Sequence, residues 1–128
     1  MTQGAATTIF VCVSCYGADD PAARPGRVFY EALQERLKRG DAPSVQVAPV
    51  ECLSICKRPA SVALAAPHKW TYVITGLDPE PHVEDIVKSA RLHAESLDGV
   101  PQWRGRPDCF KRNVVSRTPP LGATERGG

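Results

Sequence analysis

Four of the chain's five cysteines fall in two tight pairs, Cys12-Val13-Ser14-Cys15 and Cys52-Leu53-Ser54-Ile55-Cys56. Four thiolates brought together can close a tetrahedral zinc site, or give two ligands to each iron of a [2Fe–2S] cluster. Their softness excludes magnesium and calcium without separating zinc from iron–sulfur. Lys57 and Arg58 follow Cys56 directly. Beside a metal they would lower thiol pKa and offset a cluster's net charge, about −2 for two ferric ions, two sulfides and four thiolates. An ordinary solvated basic pair in a turn is an equally simple reading. Acid–base and phosphate chemistry have no comparable signature: the chain lacks a Gly-rich phosphate loop, a nucleophile elbow and a His/carboxylate set at ligand spacing. His82 and His93 lie roughly 16 Å apart along a helix, too far to share a metal. Cys109, with no second ligand near it in sequence, reads as a free thiol.

The elements that must position these residues are legible from periodicity. Residues 7–13 are β-branched and aromatic, as in a buried strand. A Gly-, Asp- and Pro-rich loop spans 16–25, and from Gly26 to Arg39 the residues Val28, Phe29, Ala32, Leu33 and Leu37 share a helical face closed by Gly40. A second strand holds Val45 and Val47, a third spans 60–66, and a fourth alternates Trp70, Tyr72 and Ile74 after the turn Pro67-His68. Asp78-Pro79 marks a helix start, with Val83, Ile86, Val87, Ala90, Ala94 and Leu97 at helical spacing up to Asp98-Gly99. Beyond Val100 no period persists. The predicted fold class is α/β, a thioredoxin-like βαβββα core with a mixed four-stranded sheet, packed helices and an irregular C-terminal tail. In the βαβ unit, the loops after two parallel neighbouring strands carry the two cysteine pairs, so the pairs should converge at one end of the sheet.

A cysteine pair after the first strand and C-x3-C after the second, in this layout, resembles the thioredoxin-like [2Fe–2S] ferredoxins. Cys52-Leu53-Ser54-Ile55-Cys56-Lys57-Arg58-Pro59-Ala60 is similar to that family's second cysteine motif running into its third strand, while Cys12 and Cys15 are spaced more closely than its first pair. The resemblance implies that Cys12, Cys15, Cys52 and Cys56 are metal ligands and that the protein is a one-electron carrier, not an enzyme, with a redox partner protein. The chain also resembles a bacterial family described as predicted metal-binding proteins, some encoded beside cobalamin-synthesis genes. That likeness rests on the two cysteine segments, the Trp70-Thr71-Tyr72-Val73 strand, and the pieces 103–107 and 117–121. It implies a metal centre and a role near cobalt or corrinoid metabolism. The competing readings are a non-redox zinc- or cobalt-binding protein using the same thiolates, and a thiol–disulfide oxidoreductase using Cys12 and Cys15. Against the latter, the loop after Cys15 separates the pair from the helix, and Cys52 and Cys56 would have no task.

At 128 residues, 42% apolar and 23% charged, the chain has the composition of one globular domain. The predicted division is a metal-binding domain over 1–100 and a basic Pro/Gly/Arg-rich tail over 101–128. No apolar run approaches the roughly 20 residues of a membrane span, and the N-terminus lacks the pattern of a secretory signal. A cytoplasmic protein is therefore expected, in which cysteines serve metals or redox chemistry rather than a disulfide framework. Residues 101–128 carry six Lys/Arg against Asp108 and Glu125, a net of +4, which out of the chain's +2 leaves −2 for residues 1–100. Such a tail suits an acidic partner or the protein's own acidic surface better than nucleic acid. Trp103 and Phe110 indicate that it packs on something: this domain, a second subunit of a homodimer, or an electron-transfer partner.

Overall fold

The computed structural model describes residues 7–13, 24–51, 53 and 60–121. In chain order these form β1 (Thr7–Cys12), α1 (Pro25–Leu37), β2 (Val45–Val50), β3 (Val62–Ala65), β4 (Thr71–Ile74), α2 (Val83–Glu95), a 3-10 turn (Trp103–Gly105), α3 (Cys109–Arg112) and β5 (Val114–Thr118). The strands make one mixed sheet in the order β2-β1-β3-β4-β5. β1 and β2 run parallel, with Thr7 opposite Val45 and Cys12 opposite Val50. Every other neighbouring pair is antiparallel.

Alternation along the strands explains the core. Ile9, Val11, Val62, Leu64, Tyr72 and Ile74 are all buried on one face of the sheet. Phe29 and Leu33 of α1, with Ile86, Val87 and Ala90 of α2, close over them in a single cluster. Each such side chain contributes about 1.5–3 kcal/mol relative to exposure. Pro25 suits the first position of α1, where its missing N–H costs nothing. The two helices are tied together by Arg36, whose guanidinium donates to Asp41 at 2.8 Å and to Glu84. This pairing raises the Arg36 pKa and holds both carboxylates below their usual range.

Polar groups buried under α2 are satisfied in a chain. His93 Nε2 lies 2.6 Å from the Trp70 carbonyl oxygen and Nδ1 lies 2.7 Å from the Thr7 hydroxyl. A carbonyl can only accept, so Nε2 carries the proton and Nδ1 of the neutral ring accepts from Thr7. Burial holds the His93 pKa below its ordinary value. The Lys69 ammonium donates to the carbonyls of His93, at 3.1 Å, and Ala94, in the last turn of α2, where the helix dipole favours a cation. His68, in the β3–β4 turn, is exposed with φ of 64°. His82 accepts the backbone N–H of Asp78.

Both ends of α2 differ from the sequence expectation. α2 begins at Val83 rather than at Asp78-Pro79, because the Asp78 carboxylate accepts the Glu80 N–H and makes a turn there. The helix stops at Glu95, leaving Leu97 97% exposed. The larger correction concerns the sheet, which has five strands among the described residues rather than four, and the C-terminal tail, which is not irregular throughout. Val114–Thr118 shows no apolar alternation because most of it faces solvent. It is held instead by pairing with the margin of β4, and by Asn113, which exchanges backbone and side-chain hydrogen bonds with Thr75 at 3.0 and 2.8 Å. Beneath it, Cys109 and Phe110 enter the core. Phe110 is wholly buried and meets Tyr72 edge-on at 4.9 Å, a contact worth about 0.5–1.5 kcal/mol beyond its buried area. No helix among the described residues is long and apolar enough to cross a membrane.

Candidate metal centre

Cys12 is the last residue of β1, fully buried, and opposite Val50 at the end of β2. Its backbone N–H donates to Ser61, and the next N–H, of Val13, donates to Val50 at 2.9 Å. Its thiol is directed at the carbonyl oxygen of Glu51, 3.5 Å away. Residues 51 and 61, which flank the segment carrying Cys52 and Cys56, thus both touch Cys12. Ala60 is fixed in turn by two reciprocal backbone hydrogen bonds with Leu77.

The segment carrying Cys15 is closed on the same residue. It leaves the sheet at Val13, and on its far side Gly26, in the first turn of α1, packs against the Cys12 peptide. A methyl group on Gly26 would overlap the Cys12 carbonyl oxygen and come within 2.9 Å of its carbon. Only a residue without a side chain lets the helix approach so closely. Both cysteine-bearing segments therefore start and finish at Cys12. Cys15, Cys52, Cys56, Lys57, Arg58 and Pro59 themselves lie outside the described residues. Among the described residues no three His, Cys, Asp or Glu side chains gather as a metal site.

Gly26 is the residue that the sequence reading missed. Its signal was the dipeptide Pro25-Gly26 at the start of a helix, where glycine is a poor helix former. The consequence is electrostatic as well as steric. Although nine residues separate Cys15 from Pro25 in sequence, the first turn of α1 is folded back against Cys12. Helix N-termini present unpaired N–H groups and partial positive charge. Contrary to the sequence expectation, the loop after Cys15 therefore does not keep the helix start away from Cys12.

Cys109 has a different environment. It is buried where α3 meets α2, and burial, with Asp85 adding repulsion, pushes its thiol up to about 12. A thiol held protonated in this way is a packing group rather than a nucleophile or ligand. The donor set fits a thiolate-held metal as far as it is described: Cys12 offers sulfur at a strand end, and the two segments anchored there supply three more thiols in sequence.

The fold is shared with solved structures. A thioredoxin-like [2Fe-2S] ferredoxin from Aquifex aeolicus superposes with a TM-score of 0.60 at 20% identity, over 91% of this chain and 96% of that one. A second structure of the wild-type Aquifex aeolicus ferredoxin gives a TM-score of 0.56 at 20% identity, over 87% and 97% of the two chains. A cysteine-to-serine variant of the same ferredoxin gives 0.56 at 18% identity, over 86% and 98%. The chain thus has the thioredoxin-like ferredoxin fold. No curated protein matches it. Residues 9–120 match the family described as protein of unknown function DUF1636, and the chain belongs to that family.

Proposed function

We propose that the protein is a ferredoxin-like one-electron carrier that holds a [2Fe–2S] cluster on Cys12, Cys15, Cys52 and Cys56. The observation that carries this reading is the closure of both cysteine-bearing segments on Cys12, through Val13 and Gly26 on one side and Glu51 and Ser61 on the other. The fold shared with the Aquifex aeolicus ferredoxins supports it. When bound, such a cluster supplies a couple that accepts and releases one electron without bond making. The tasks of the chain are to hold the thiolates, restrict water and set the potential. Burial of Cys12 limits solvent on its side of the site. The first turn of α1, packed on the Cys12 peptide, brings partial positive charge to Cys12, and together with Lys57 and Arg58 it would offset the net charge of about −2 of such a cluster. No residue needs an acid–base role. The carrier works in the cytoplasm with a redox partner protein, in the corrinoid-related setting that the family resemblance implies.

The test is an absorption spectrum and metal analysis of protein purified without oxygen, before and after dithionite. Visible bands that bleach on reduction, with about two irons and two sulfides per chain, are expected. A colourless protein with one tightly held zinc would overturn the electron-carrier reading in favour of a metal-handling one using the same thiolates. Serine in place of Cys52 or Cys56 abolishes metal binding in either case, so it tests the ligands and not the metal.

A further inference from the structure

The margin of the sheet farthest from β2 carries a groove of about 470 Å³ between β5 and the segment from Trp103 to Lys111. Three cations line it, Arg106, Lys111 and Arg117, and no carboxylate does among the described residues. Aromatic rings hold each of them in place. The Arg106 guanidinium lies 4.7 Å from the ring centre of Phe110, 5.3 Å from Trp103 and 5.4 Å from Tyr72, and donates to the Pro101 carbonyl at 2.9 Å. Lys111 sits over Trp103 at 5.6 Å, and Arg117 over Trp70 at 4.7 Å. Rings position a cation without cancelling its charge. None of the three makes an ion pair among the described residues, whereas Arg112 nearby is paired with Asp108. The groove also exposes apolar surface: Trp103 is 61% exposed, and Val115 is 39% exposed beside the register irregularity of β5.

We infer that this groove receives an acidic, extended segment of a partner protein, laid along β5 with its carboxylates on Arg106, Lys111 and Arg117. Among the described residues β5 is the outer strand on its side of the sheet, a position that takes extended peptides. Fixed guanidinium groups suit carboxylates, and an alternating chain would turn its other side chains toward Trp103 and Val115. A second copy is a poor occupant. Residues 101–121 hold five basic residues against Asp108, so a like partner would bring the same positive charge, and basic residues on an edge strand oppose self-pairing. The inference stands on this groove alone and does not depend on which metal the cysteines hold.

The test is fluorescence anisotropy on the purified full chain, with a labelled peptide alternating aspartate and valine, about eight residues long to span a strand. Saturable binding is expected. Lys111→Glu or Arg117→Glu should each weaken it about tenfold, as loss of a charge-assisted contact does, with circular dichroism unchanged. Arg104→Glu makes the same change of charge on the exposed 3-10 turn outside the groove and should leave binding within about twofold of the parent. An asparagine–valine peptide should not bind. Equal loss in all three variants would reduce the effect to diffuse charge and overturn the site. Tighter binding of an oligothymidine of equal charge would overturn the peptide reading in favour of nucleic acid, and absence of binding would refute it outright.

Discussion

Replacing Gly26 by alanine tests the link between α1 and the cysteine end of the sheet. The added methyl would overlap the Cys12 carbonyl oxygen, and that neighbour is backbone held by Ser61 and Val50, not a side chain that can turn aside. The first turn of α1 must move off the sheet, carrying with it the buried Phe29 one turn on. Overpacking of this kind costs about 1–3 kcal/mol. Alanine returns up to about 1 kcal/mol of helix propensity, less so close to a helix end. The expected net loss is about 1–2 kcal/mol, close to tenfold in the folding constant and about 5 °C in melting temperature for a domain of this size. Urea and thermal unfolding followed by circular dichroism measure it. Gly105→Ala, where a methyl would meet nothing within 4 Å, serves as control and should stay within about 0.5 kcal/mol of the parent. On the proposed metal centre the same displacement should shorten the lifetime of the metal in chelator competition. A Gly26→Ala protein as stable as the parent, with unchanged metal release, would refute the close approach.

Acid should expose the neutral His93. Its pKa is depressed in the folded state, so the unfolded chain binds the extra proton as pH falls below its ordinary value of 6.5. Stability should be flat above about pH 7 and fall below it by up to about 1.4 kcal/mol per pH unit, a slope that His93→Gln should reduce. Urea midpoints from pH 7.5 to 5 measure this; an unchanged slope in the variant would remove His93 as its source. Cys109, with its thiol at about 12, should resist iodoacetamide at pH 8 in the native protein and react once urea unfolds it. Mass spectrometry of its peptide reads this out, and rapid native labelling would contradict the burial. Phe110→Ala should cost about 3–4 kcal/mol in urea unfolding. A loss below about 1 kcal/mol would mean that α3 is not docked in the core.

The βαβ unit and the β3–β4 hairpin were readable because their strands are buried on one face, so that Val45, Val47, Trp70, Tyr72 and Ile74 carry the period of the strand. β5 lacks that signal: its residues face water, and what makes it a strand is the free margin of β4, which no local pattern announces. The stack of Arg106 with Tyr72, Trp103 and Phe110 joins positions some thirty residues apart, and Trp103 and Phe110 alone gave only the hint that the tail packs somewhere. Of the candidate site, residue chemistry named the thiols and topology named the end of the sheet. The fold supplies what spacing could not, the return of Gly26, Glu51 and Ser61 to one cysteine. His93 was separable from a ligand role by its distance from His82, but its hydrogen bonds to Thr7 and Trp70 follow from packing alone.

The bond from Cys12 to Ser61 also sets an order of events. β1 is made first, yet its end is bracketed by β2 on one side and β3 on the other, so Cys12 has no fixed position until the chain has been synthesised past residue 61 and both neighbours have docked. Pairings across such sequence distances form late because loop closure must precede them. A metal on the proposed ligand set would therefore find Cys12 in place only once the β3–β4 hairpin has docked, so loading belongs after synthesis of the sheet rather than during synthesis of its first strand.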